Sequence, residues 1–165
     1  MRELQVVDAW ELAAAYAAAH YAVVLDGDTV PLRVGHPASD LEAYWPAERY
    51  VFITAWNPAS EPHSDTANET ADALLVAQLD AIGVQRHAAW GECPKGEWRE
   101  PGWLLADIDG PTTELLAHEF GQAAVLEWQR GQPVRLRMLL ERPQTRTLPE
   151  AIAAFTDWVD DVAAA

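Results

Sequence analysis

The residues Tyr50 to Trp56 are apolar or β-prone on both alternating faces, and they run straight into the polar turn opener Asn57-Pro58. A strand of this kind is one covered on both sides. Downstream, Ala67, Ala71, Leu74, Leu75, Gln78, Leu79 and Ile82 recur at helical spacing, and Gly83 ends that helix. Val84 to Trp90 and Trp103 to Ile108 are the next strands, separated by a Gly91 to Gly102 loop that holds Pro94, Gly96, Trp98 and Pro101. A helix follows Asp109-Gly110-Pro111 with Leu115, Leu116 and Phe120 as its apolar positions, and Gly121 stops it. Ala123 to Trp128 then reads as a strand. The middle of the chain is therefore predicted to be a ferredoxin-like β-α-β-β-α-β unit within a mixed sheet, which makes the fold class α+β.

Elements flank this unit on both sides. Asp8 to His20 is an alanine-rich helix carrying Trp10, Leu12, Ala13 and Tyr16, with Asp8 as its N-cap. Tyr21 to Leu25 and Thr29 to Val34 form a hairpin around Asp26-Gly27-Asp28, and Pro31 keeps its second strand at an edge. Gly35 to Glu48 is a loop with a helical turn near Leu41 to Tyr44. At the other end, Val134, Leu136, Met138 and Leu140 alternate with Arg135 and Arg137, predicting a strand with one wet face. A closing helix is expected over Glu150 to Val162, docking through Ile152, Phe155, Trp158, Val159 and Val162. No internal repeat or composition break divides the chain, so 1–165 reads as one domain.

Strand direction alone gathers the polar residues. A helical crossover makes the Tyr50 and Val84 strands run the same way, so Asn57 and Glu92 share an edge. An antiparallel return brings Trp98 and Glu100 there, and the second crossover brings Gln122. On the intervening helix Ser64 and Asn68 lie in the row of Ala71, Leu75 and Leu79, so they are expected to point inward and to need partners. The candidate ligand-binding set is Asn57, Ser64, Asn68, Trp98, Glu100 and Gln122. Three readings of it stand open: a structural network in which Ser64 or Thr66 caps the helix, a ligand pocket, and a protein-docking surface.

Composition narrows the ligand. Acids outnumber Lys plus Arg by 26 to 11, a formal charge of -15, which argues against nucleic acid and leaves a basic protein as the macromolecular alternative. The Asn57 to Ser64 stretch has no glycine and carries Glu61, so it is no phosphate cradle, and a small polar, non-anionic ligand is expected. Among the tryptophans Trp45, Trp56, Trp90, Trp98 and Trp103, Trp98 is the one expected to face it. Glu92 and Glu100 could divide acid and base roles, but no spacing in the chain dictates a reaction. His63, His87 and His118 share no ligand spacing and Cys93 is alone, so no metal or cofactor is implied. Without a signal-peptide pattern or an apolar run long enough to span a bilayer, the expectation is a soluble, cytoplasmic protein away from membranes.

The run Phe52-Ile53-Thr54-Ala55-Trp56-Asn57-Pro58-Ala59-Ser60, with Ser64 and Asn68, then Trp98-Arg99-Glu100-Pro101 and Phe120-Gly121-Gln122-Ala123-Ala124, resembles a bacterial family, domain of unknown function 3293. The resemblance covers about Tyr50 to Trp128. It supports the choice of positions and implies no activity, cofactor or catalytic residue. Binding of a small polar molecule is the function expected, with an acidic interaction or regulatory module without catalysis as the alternative.

Overall fold

The computed structural model describes residues 9–93, 99–144 and 149–159. In chain order its elements are α1 (Ala9–Ala18), β1 (His20–Leu25), β2 (Asp28–Leu32), α2 (Ser39–Tyr44), β3 (Arg49–Ile53), a 3₁₀ turn (Pro58–Ser60), α3 (Asp65–Ile82), β4 (Gln85–Glu92) and β5 (Arg99–Ala106). They continue with α4 (Gly110–Glu119), β6 (Ala124–Gln129), β7 (Arg135–Met138), α5 (Glu150–Ala153) and β8 (Thr156–Asp157). The eight strands form one sheet in the order β2-β1-β4-β5-β3-β6-β7-β8. Its neighbours are antiparallel except β7 and β8, which are parallel, so the class is α+β with a mixed sheet. Asp8, Trp98 and Val162 lie outside the described residues.

β3 is central because neither of its faces tolerates water. Tyr50 and Phe52 pack with Ala13 of α1 and Leu41 of α2, while Val51 and Ile53 pack with Leu75 and Leu79 of α3 and Leu116 and Ala117 of α4. Helices thus cover both sides of the sheet, as the unbroken apolar run predicts. Each fully buried side chain of this size contributes about 1.5–3 kcal/mol. The apolar helical stripes are narrower than their spacing suggests: Leu74, Ile82 and Leu115 are exposed.

Two expectations at the C-terminal side are corrected. The helix over Glu150 to Val162 does not form; α5 ends at Ala153, and Thr156 and Asp157 pair with β7 instead. The free edge of β7 decides this. The Leu136 N–H donates to the Phe155 carbonyl at 2.9 Å, and Arg135 holds both carboxylate oxygens of Asp157 at 2.8 and 2.9 Å. Edge pairing and a bidentate ion pair outweigh the helical preference of an alanine-rich segment. Trp158 is still buried, though from a different backbone.

Nor is the arginine face of β7 wet. Arg137 is only 4% exposed. Its guanidinium lies 3.1 Å from Glu114 of α4 and 3.6 Å from Glu127 of β6, and Glu127 also binds Arg49. Alternation assigned the faces correctly, but the middle of α4 supplies a carboxylate that lets a charge enter the layer. Arg137→Met should therefore cost about 1.5–3 kcal/mol, because it removes the buried cation that Glu114 and Glu127 share, whereas Arg135→Met on the more exposed Asp157 pair should cost about 1 kcal/mol or less. Urea unfolding of the two variants checks this, and the reverse ranking would contradict it.

Candidate functional site

The polar cluster begins with a backbone conformation. Asn57 sits in the left-handed region at φ 46°, which asparagine tolerates better than most side chains, and Ser60 follows at φ 60°. The Asn57 N–H donates to Asn68 Oδ1 at 2.9 Å, and Asn68 Nδ2 donates back to Asn57 Oδ1 at 2.9 Å. The His63 N–H also donates to Asn57 Oδ1, at 3.0 Å. Backbone N–H groups can only donate, so both amide orientations are fixed. The remaining amide group of Asn57, Nδ2, therefore points at Glu100 and donates to its Oε1 at 2.8 Å.

Gln122 closes the same edge. Its Nε2 donates to the Trp56 carbonyl at 3.1 Å and to the Phe120 carbonyl at 3.3 Å, tying the end of β3 to the turn before β6. The two turns approach so closely that a Cβ on Gly121, already at φ +64°, would lie 2.9 Å from Cβ of Pro58. Asn57, Asn68, Glu100 and Gln122 are thus brought together as strand direction predicts. Ser64 is not among them: it is exposed and accepts from the Ala67 N–H at 3.1 Å as the N-cap of α3. That role satisfies a helix-end donor and turns its hydroxyl away from the cluster.

Beside the cluster, between α1 and the sheet, lies a cavity of about 340 Å³. Asn57, Ser60, Glu100 and Gln122 contribute polar lining, and the remaining wall is largely apolar. Small residues make the space. Ala15, Ala18 and Ala19 of the α1 region oppose Gly91 of β4 and Ala124 of β6. Glycine in the strands also admits rings: a Cβ on Gly91 would lie 3.0 Å from the Tyr21 ring, and one on Gly102 would lie 2.5 Å from the Ile53 carbonyl and 3.0 Å from the Phe52 ring. Tyr21 and Phe52, centroids 5.6 Å apart and edge-on, form the aromatic wall.

Residues 53–125 match the family described as "Protein of unknown function (DUF3293)". Over this stretch the chain resembles the DUF3293 family. No curated protein and no solved structure matches the chain. The DUF3293 stretch contains Asn57, Ser60, Glu100 and Gln122 of the cavity lining, together with Asn68 behind Asn57. Leu12, Tyr16, Tyr21 and Leu136 of its walls lie outside that stretch.

Sequence reasoning missed those walls. Among the described residues the aromatic lining is Tyr16, Tyr21 and Phe52, while Trp45, Trp90 and Trp103 make other contacts and Trp98 lies outside the described residues. Trp45 packs on Tyr50 and His87, Trp90 lies under Arg99, and Trp103 Nε1 donates to Asp72 at 2.9 Å. The available signal was α1 itself, whose alanines face glycine-bearing strands. Tyr16 connects the helix to the polar edge through its hydroxyl contact with Ser60, and the Tyr21 hydroxyl donates to the Tyr16 carbonyl at 2.6 Å. Glu92, which lines the same cavity as Glu100, pairs with Arg99 at 3.3 Å. Among the described residues no His, Cys, Asp and Glu group is placed to hold a metal ion, and no helix is long and apolar enough to cross a membrane.

Burial pushes the Glu100 carboxyl above its ordinary range, and the Asn57 amide only partly opposes that shift. Burial also raises Tyr16 and Tyr21, so both remain neutral hydroxyls. A carboxyl whose folded-state pKa is raised adds stability at acidic pH and loses it as pH rises through the folded value. Glu100→Gln keeps an oxygen for Asn57 and removes the charge. It should melt at or above wild type at neutral pH, with the advantage shrinking at acidic pH; thermal melts at both pH values check this, and a large loss at neutral pH would contradict it.

Proposed function

We propose that this protein binds a small molecule with an apolar body and a polar, non-anionic head. The observation that carries the reading is the juxtaposition of a largely apolar cavity with a partly buried carboxyl at one end. Ligand sites are commonly mostly apolar hollows with a few fixed polar groups, and about 340 Å³ falls at the small end of their range. The Asn57–Asn68 hydrogen bonds support a positioning role for those two residues, with Glu100 and Gln122 as the groups that meet the ligand. Ser64 serves the helix as its cap.

The alternative, an acidic module that docks a basic partner without turnover, has one observation behind it. Leu74, Ile82 and Leu115 are 58%, 49% and 72% exposed on the outer helices of an acidic chain. That surface lies on the opposite side of the sheet from the cavity, so the two readings predict different sensitive positions.

A thermal-shift screen with small aromatic and aliphatic alcohols, amines, nucleosides and sugars tests the proposal. A ligand at about 100 times its dissociation constant adds roughly 2.7 kcal/mol, a shift of several degrees. Amphiphiles should raise the melting temperature, and Ala124→Phe, which fills the cavity, should abolish the shift. A panel without shifts, alongside an Ala124→Phe variant that melts above wild type, would make the cavity a packing defect.

A further inference from the structure

We infer that the head of the ligand is a protonated amine, an ammonium group on an apolar body, seated against Glu100. This rests on the ligand-binding reading above and names its substrate class. The first ground is direction. Along β5 the side chains of Glu100, Gly102 and Leu104 share one face, and Leu104 belongs to the core under α1. Glu100 is therefore aimed into the space between helix and sheet. Arg99, its chain neighbour, points to the other face, where it stacks 3.8 Å over Trp90 and pairs with Glu92.

The second ground is charge. No Lys or Arg lines the cavity among the described residues. The hydrogen bond given to Glu100 there comes from Asn57, a neutral amide, which orients a carboxylate without neutralising it. A buried carboxylate without a cation is costly, and a ligand cation would remove that cost. A phosphate or carboxylate head would add a second negative charge in the same apolar enclosure.

The third ground is donor-acceptor balance. The Gln122 amide nitrogen already donates to two carbonyls, so its oxygen is what remains for a ligand. Tyr16 and Ser60 share one hydrogen bond between their hydroxyls. Glu100 and the Gln122 oxygen are thus acceptors at the polar end that an ammonium, with three donors and no acceptor, can meet. The rings of Tyr16, Tyr21 and Phe52 line the same cavity, and aromatic faces attract cations.

The titratable groups that line the cavity with Glu100 are Tyr16 from α1, Tyr21 from β1, Glu92 at the end of β4 and Cys93 just after it. Comparing an amine with its alcohol counterpart at each pH cancels titrations that affect both equally. An ammonium favours ionised Glu100, so the amine preference should grow as pH rises from acidic to neutral.

Calorimetric titration of the full chain with 2-phenylethylamine, 2-phenylethanol and phenylacetate, and with the matching hexyl series, tests this. The amine should bind on the order of tenfold tighter than the alcohol at neutral pH, as expected for a charge-assisted hydrogen bond. The carboxylates should bind weakest, and Glu100→Gln should bring amine and alcohol to near equality. Alcohols binding as well as amines to wild type would overturn the ammonium inference and leave the cavity reading standing. Silence from both series would overturn both. An amine preference that survives unchanged in Glu100→Gln would remove Glu100 as its source, and if that variant does not fold, the wild-type amine-to-alcohol ratio and its pH dependence decide.

Discussion

Asn57 and Asn68 exchange hydrogen bonds across the turn that leaves β3, backbone to side chain in one direction and amide to amide in the other. The geometry of the polar edge depends on this exchange. Asn68 is 2% exposed, so an unpaired amide there would cost about 1–3 kcal/mol. Pairing it with the turn holds Asn57 in a left-handed conformation and leaves its Nδ2 facing one acceptor, Glu100. The bonds that staple the turn are therefore also the ones that aim the Asn57 amide at Glu100.

The cavity arises from a second constraint, which is the size of side chains rather than their polarity. α1 brings alanines to the sheet, and the sheet answers with Gly91 and Ala124, so the two layers do not fill the gap between them. On the opposite side Val51, Ile53, Leu75, Leu79 and Leu116 leave a closed core. The sheet thus has a load-carrying side under α3 and α4 and an accommodating side under α1. Glu100 belongs to the second because β5 places it on the same face as Gly102 and Leu104.

Much of this was legible in the sequence. The two-sided apolar run at Tyr50 predicted a central strand, and counting strand directions brought Asn57, Glu100 and Gln122 to one edge without knowledge of strand order. Asn68 was found because its row on the helix is buried. What stayed hidden depended on partners distant in the chain. Arg137 looked solvent-facing because nothing local reveals Glu114 and Glu127. The segment after Ala153 looked helical because the bare edge of β7 cannot be read from its own residues. Ser64 shared the inward row with Asn68, but a residue at the helix start is available to cap it, and the cap prevailed. Tyr16 and Tyr21 escaped notice because an alanine-rich helix gives no sign of what it leaves empty.

The central claim is that Asn68, acting through Asn57, sets the state of Glu100. Nuclear magnetic resonance titration of the Glu100 side-chain carboxyl carbon, in wild type and in an Asn68→Ala variant shown to be folded by its amide spectrum, tests it most directly. The Asn57 amide lowers the Glu100 pKa against the effect of burial. Releasing that amide should therefore move the Glu100 midpoint to higher pH in the variant. An unchanged midpoint would mean that Asn68 holds the turn without governing the carboxyl, and the account of the site would fail at its first link.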